Sequence, residues 1–261
     1  MNAFGRAATW HRIGLCTIMS VLAGALGSSV AEAGPPFLTD DTDTQEAGHF
    51  EINIAAQYIR FKGGSNGAIP SVEVNYGVTD NLQITILTPL SVAHVDGAGT
   101  HVGLGDTRLS FKFRFVEADD QGWKPNLAIA PTIILPSGNA SRGLGDGQIT
   151  GFVPLWVTKE FKPWTVFGGG GYNINTGTDD LNWWFFGAGV LRELDPKWTV
   201  GAEIFHSTPT GRGLKESTGL NVGVIYNISD THHLMLAVSR NLVNARENNE
   251  FSTYLGYQLT F

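Results

Sequence analysis

From residue 48 onward the chain alternates between apolar and polar positions. Phe251, Thr253, Leu255, Tyr257, Leu259 and Phe261 interleave with Ser252, Tyr254, Gly256, Gln258 and Thr260, so one face is apolar and the other mostly small or polar. The same period of two runs through Phe50, Ile52, Ile54, Ala56 and Tyr58 against Glu51, Asn53, Ala55 and Gln57. It recurs in Leu109, Phe111, Phe113 and Phe115 against Arg108, Ser110, Lys112 and Arg114, and in Leu220, Val222, Val224 and Tyr226 against Gly219, Asn221 and Gly223. Successive side chains of a strand point to opposite faces, so each run reads as a strand with one oily face. Runs of about ten residues match the tilted strands with which a barrel crosses a bilayer. Helical periodicity is not evident anywhere in this part of the chain.

Carried along the sequence, the pattern predicts twelve strands, over 48–61, 70–78, 81–93, 104–116, 125–135, 147–159, 163–174, 182–193, 198–206, 217–228, 231–240 and 250–261. The connections alternate in length: 62–69, 94–103, 136–146, 175–181, 207–216 and 241–249 are long, whereas 79–80, 160–162, 194–197 and 229–230 are tight and 117–124 is moderate. Outer-membrane barrels have short periplasmic turns and longer outer loops, so both termini fall on the periplasmic side. The expected fold class is all-β, a transmembrane antiparallel up-and-down β-barrel. A soluble β-sandwich is the competing reading, but it must explain phenylalanines opposite charged residues on one strand. Pro89, Pro131 and Pro154 fall inside proposed strands and call for bulges or interruptions, because proline cannot donate to a ladder.

The chain before residue 48 is different. Arg6 and Arg12 precede an apolar stretch over Ile13–Val30, and Ala31-Glu32-Ala33 supplies small residues for cleavage, so 1–33 reads as a signal peptide for export. Residues 34–47 then form a periplasmic N-terminal segment, and 48–261 the outer-membrane barrel. The one cysteine, Cys16, leaves with the signal, so no disulfide or thiolate chemistry is expected. Of 24 acids and 17 bases, removing Arg6, Arg12 and Glu32 leaves 23 against 15. That acidic balance, without basic stripes, excludes nucleic acid as a partner.

Trp123, Trp164 and Trp198 all lie at the tight-turn end, as an aromatic girdle at the lipid interface requires. Gly103-Leu104-Gly105-Asp106 recurs as Gly143-Leu144-Gly145-Asp146, each copy closing a long loop. No Gly-Lys-Ser/Thr accompanies either copy and no helix follows, so a phosphate loop is not indicated.

Gly34-Pro35-Pro36-Phe37-Leu38-Thr39-Asp40-Asp41, Gly48-His49-Phe50-Glu51, the paired Gly-Leu-Gly-Asp motifs and Leu135-Pro136-Ser137-Gly138 together resemble the MetA-pathway family of phenol degradation, over 34–261. The resemblance implies an outer-membrane barrel with a transporter-like role. The terminal Phe261 is similar to the signal that such barrels present to the barrel-assembly machinery.

If the apolar face meets outer-membrane lipid, the other lines the lumen. That places Glu51, Asn53, Glu73, Arg108, Lys112, Arg114 and Glu203 inside as candidates for selectivity, with Gln57, Asn75, Gln83, Gln148 and Gln258 beside them. Acids on the first two strands and bases on the fourth either set a field across the bore or pair and close it. Asp40 and Asp41 are candidates for a plug, meeting Arg108 or Arg114; a solvated tether is the alternative. Catalytic chemistry finds little support: His206 and Ser207 are adjacent on a strand and point apart, His94 and His101 lack a third metal ligand, and His232-His233 reads as a solvated turn. No cofactor or metal is expected. The sequence predicts a channel or facilitator for small molecules, with aromatic compounds suggested by the resemblance alone. Its alternatives are a surface-binding barrel without transport and a rim hydrolase acting on lipid.

Overall fold

The computed structural model describes residues 36–119, 122–177 and 180–261. The expected signal peptide, with Gly34 and Pro35, lies outside them. Among the described residues, fourteen strand segments form one antiparallel sheet. They are β1 (Phe50–Phe61), β2 (Gly64–Thr79), β3 (Leu82–Val95), β4 (Gly99–Leu104), β5 (Thr107–Val116), β6 (Asn126–Ile129), β7 (Thr132–Leu135), β8 (Thr150–Phe161), β9 (Trp164–Ile174), β10 (Trp183–Asp195), β11 (Trp198–Ser207), β12 (Ser217–Asn227), β13 (His232–Val243) and β14 (Phe251–Thr260). β4 and β5 both pair with β3, as one stave broken at Gly105-Asp106. β6 and β7 both lie between β5 and β8, as another broken at Ala130-Pro131. Fourteen segments therefore make twelve staves.

β1 pairs with β14 from Glu51↔Thr260 through Arg60↔Phe251, which closes the sheet. Among the described residues closure pairs the staves side to side and leaves only β4, the outer extension of its stave, with a single strand neighbour; such pairing is the condition for backbone placed in hydrocarbon. Ile54, Ile84, Ile86, Phe111, Val153, Leu155, Val166, Phe186, Val222 and Leu255 all point outward and exposed. Lipid, not water, is the solvent that suits such a surface.

The prolines sit where the ladder is already interrupted. Pro154 lies between Phe152, which pairs with Thr132 of β7, and Leu155, which pairs with Ile129 of β6. It therefore faces the break at Ala130-Pro131, where its missing N–H costs little. Pro89 lies opposite the other break and accepts a hydrogen bond from Gly105 N–H at 2.9 Å.

Residues 62–69, expected to form a long outer loop, do not do so. β2 begins at Gly64, and the turn is only Lys62-Gly63, with Gly63 at φ 89. A residue with a side chain is strained at that angle. Gly64, Gly67 and Pro70 mimic loop composition within a strand whose register shifts between Ala68 and Ser71. The expected loop 94–103 is likewise mostly strand, in the hairpin of β3 and β4. Long outer connections do occur at 136–149, 175–182, 208–216 and 244–250.

Candidate functional site: a bore crossed by the N-terminal segment

Two different walls line the lumen. On the periplasmic half of β1, β2, β3 and β5 the inward residues are mostly polar. Asn53 Nδ2 donates to Glu51 Oε1 and Glu73 Oε1, both at 3.0 Å. Asn75 Nδ2 donates to the same two oxygens, at 3.0 and 2.9 Å. Two amides thus hold two carboxylates on adjacent strands in one crossed network. Opposite them, the break between β6 and β7 together with β8, β10 and β11 turns Ala130, Phe152, Trp156, Trp183, Phe185 and Phe205 inward as a buried cluster, with Leu38 packed against it. Trp156 and Phe185 meet edge to face, with ring centroids 6.4 Å apart.

Between these walls runs the segment before β1. At the periplasmic mouth Ala47 N–H donates to Asp80 Oδ1 at 3.0 Å and Gln45 N–H to Gln83 Oε1 at 3.0 Å. Further in, Lys112 Nζ donates to Asp40 Oδ1 at 2.8 Å and to Asp41 Oδ1 at 3.4 Å. Thr42 N–H reaches Thr158 Oγ1 at 3.1 Å, across the bore. The far end is held by Glu203, only 2% exposed, whose two carboxylate oxygens accept Leu38 N–H at 2.6 Å and Thr39 N–H at 2.8 Å. Asn221 Nδ2 completes that anchor, donating to Glu203 Oε1 at 2.9 Å and to Pro36 O at 3.2 Å.

The barrel wall has been cut back to admit this segment. A Cβ on Gly187 would collide with Thr39 Oγ1, and one on Gly77 would lie 2.5 Å from Gln45 O. A Cβ on Gly201 would lie 2.7 Å from the Phe37 ring, and one on Gly223 3.1 Å from both Phe37 and Pro36. Glycine on β2, β10, β11 and β12 is what lets backbone and ring lie flush with the wall. Phe37 is buried and packs against Phe167 at 5.5 Å between centroids.

The segment leaves space on both sides. Toward the outside is a hollow of about 670 Å³, counting its open side, lined by Phe37, Leu38, Ala55, Leu87, Asn53 and Asn221 among others. Toward the periplasm is one of about 1150 Å³, lined by Asp40, Asp41, Asp43, Glu51, Glu73 and Lys112, with Phe152 and Trp156 on its aromatic side.

The three lumen bases are spread along the bore rather than gathered at one level. Lys112, not Arg108 or Arg114, meets Asp40 and Asp41. Arg114 Nη2 donates to Asp80 O at 2.9 Å near the periplasmic rim. Arg108 lies under the outer loops, where its charge acts on Asp146.

The two Gly-Leu-Gly-Asp copies come together at the outer mouth. Asp106 accepts Gly138 N–H at 2.8 Å and Asp146 N–H at 2.7 Å, and Ser137 Oγ donates to Gly105 O at 2.9 Å. Burial, and then the neighbouring Asp106 carboxylate, push the Asp146 carboxyl up to about 7.

Of the girdle candidates, Trp164 and Trp198 open β9 and β11 on the outward face and Trp123 lies in the β5–β6 connection, all exposed. Arg192 lies over the Trp164 ring at 4.9 Å, Trp198 pairs with Tyr226 at 4.6 Å, and Trp123 with Phe161 at 5.7 Å. Four of the histidines near the rims, His94, His206, His232 and His233, have side-chain partners. His206 bonds Thr218 and Ser207 bonds Ser217, so they do not meet each other. His94 bonds Thr100 and approaches Asp96, while His232 and His233 bond Tyr257 and Asn227.

The alternation along the chain gave no sign of the aromatic wall or of the glycine seats. Phe152-Val153-Pro154-Leu155-Trp156 and Trp183-Trp184-Phe185-Phe186 are apolar on both faces, so alternation there has no contrast to display. That lack of contrast was the available signal: a lipid-facing strand with a second apolar face has something oily inside as well.

A closed twelve-stave cylinder with an apolar outer face and a lined bore defines an outer-membrane β-barrel. The chain belongs to the family described as "Putative MetA-pathway of phenol degradation", whose model matches residues 31–259. Among solved structures, an outer-membrane channel from Pseudomonas putida F1 is similar with a TM-score of 0.67 at 17% identity, over 85% of this chain and 98% of that one. The NanC porin has a TM-score of 0.58 at 9% identity, over 80% of this chain and 98% of that one. For the KdgM porin the values are 0.54 and 11%, over 81% and 99%. No curated protein matches the sequence.

Proposed function

We propose that the protein is an outer-membrane channel for passive entry of small molecules, whose bore is restricted by residues 36–47 acting as a plug. The observation that carries this reading is the built seat: Glu203, Lys112 and four glycines of the wall receive a segment that divides one bore into two hollows. A segment that merely tethered the barrel would need no such seat. Polar groups on one wall and Phe152, Trp156, Phe185 and Phe205 on the other favour solutes with an aromatic or apolar body and a polar substituent. The family's phenol-degradation description fits that class. In this reading Glu51, Asn53 and Glu73 line the polar path, Glu203 and Lys112 hold the plug, and Arg108 and Arg114 belong to the two mouths. Trp123, Trp164 and Trp198, joined by Phe50, Tyr76 and Tyr226, form the girdle at the inner lipid interface, and Phe261 is the terminal residue read during assembly.

Single-channel recording tests the proposal. The refolded chain should give small discrete steps, and a variant lacking residues 36–47 should give larger ones. A folded deletion variant that stays silent, or that conducts no better than the intact chain, would overturn the plug.

A further inference from the structure

The outer hollow has polar atoms that no described residue uses. Asn53 and Asn221 both line it and are 2% and 4% exposed. Their amide orientation is fixed from below. Asn53 Nδ2 is held by the Glu51 and Glu73 carboxylates, and Asn221 Nδ2 by Glu203 Oε1 and Pro36 O. Each side chain must therefore turn its carbonyl oxygen the other way, and neither Oδ1 has a hydrogen-bond partner among the described residues. Leaving a buried acceptor unpaired is unfavourable, so two in one hollow ask for a donor. Glu73 brings a carboxylate to the same lining, while Phe37, Leu38, Ala55 and Leu87 make the rest apolar. A set of acceptors with a negative charge rejects carboxylates and suits an ammonium group.

We propose that this hollow is an ammonium site, in which Asn53 Oδ1, Asn221 Oδ1 and the Glu73 carboxylate receive an R–NH₃⁺ group and the apolar lining receives its body. The inference refines the bore of the channel reading and rests on it only for location. Two sources can supply the group. One is an amine solute. The other is the chain itself: cleavage after Ala33 would leave the α-ammonium of Gly34 two residues before Pro36, which lines the hollow, and two residues span at most about 7 Å.

The refolded chain beginning at Gly34 separates these sources. Its α-amine is acylated with a water-soluble amine reagent, folded and unfolded, and the N-terminal peptide is read by mass spectrometry. In parallel, benzylamine, benzyl alcohol and benzoate are titrated calorimetrically. If the chain's own terminus fills the site, the folded α-amine is protected by about tenfold or more, and E73Q or the N53L/N221L pair restores its reactivity. If a solute fills it, the α-amine reacts freely and benzylamine binds in preference to the alcohol and the acid. E73Q then weakens that binding by about tenfold. A freely reactive α-amine together with no preference for benzylamine overturns the proposal. Neither readout needs the barrel to conduct, so this failure leaves the channel reading intact. E73Q nearly preserves shape, and a heat-modifiable gel band verifies that each variant is folded.

Discussion

Replacing Glu203 with glutamine keeps its size but removes the charge shared by Leu38 N–H and Thr39 N–H. Hydrogen bonds to a charged acceptor are worth about 1.5–3 kcal/mol each against about 1 for neutral ones. E203Q should therefore loosen the far end of the segment, raising protease cleavage within residues 36–47 by about tenfold or more while the barrel stays folded. Unchanged cleavage would mean that the remaining contacts suffice. Gly187→Ala approaches the same seat from the wall, because its methyl group would collide with Thr39 Oγ1. It should widen the single-channel step, whereas Gly151→Ala, whose new methyl would meet nothing nearer than 3.7 Å, should leave the step alone. Equal steps from the two variants would remove the glycine seat from the account.

At the scale of elements, the outer knot of Asp106, Ser137 and the loop over 136–149 has a titratable centre. Folding raises the Asp146 carboxyl from its ordinary 3.8 to about 7, so the folded loop binds this proton more tightly than the unfolded one. The penalty for ionising it is fully present above about pH 7 and fades as pH falls toward 4. Amide hydrogen exchange of the loop, corrected for intrinsic rates, should thus show more protection at pH 5 than at pH 8. D146N should lose the difference; persistence of the difference in D146N would assign it to another group. Elements also show what was legible in advance. Strands such as β1, β5 and β14 stood out because one face is oily and the other polar. The first hairpin did not, since Gly64, Gly67 and Pro70 carry the composition of a loop into the middle of a strand. Asp40 and Asp41 suggested a charged contact inside the bore. That their partner is Lys112, rather than Arg108 or Arg114, depends on how deeply the segment penetrates, and local spacing does not encode depth. Gly77, Gly187, Gly201 and Gly223 owe their identity to a segment far away in the chain, which no window along the sequence can report.

At the scale of the whole molecule, the bore carries an excess of acid. Asp40, Asp41, Asp43, Glu51 and Glu73 line the periplasmic hollow with Lys112 as its base, and Lys112 is already bound to two of them. Such a lining attracts cations. Under a salt gradient the reversal potential should report cation preference, and substituting Arg108, Lys112 and Arg114 together by glutamine should strengthen it. Anion preference in the unmodified protein would show that the two arginines at the mouths govern permeation instead. The closure of the cylinder has its own consequence. Phe50 and Phe261 exchange backbone hydrogen bonds at 2.8 and 2.9 Å and stack their rings, so Phe261 latches onto the first residue of β1, just past the N-terminal segment. The seam joins the two ends of the barrel sequence, so every other stave lies within the stretch of chain that it closes. The segment that crosses the bore hangs from β1 at this seam, so the joint that shuts the cylinder also sets where residues 36–47 enter it.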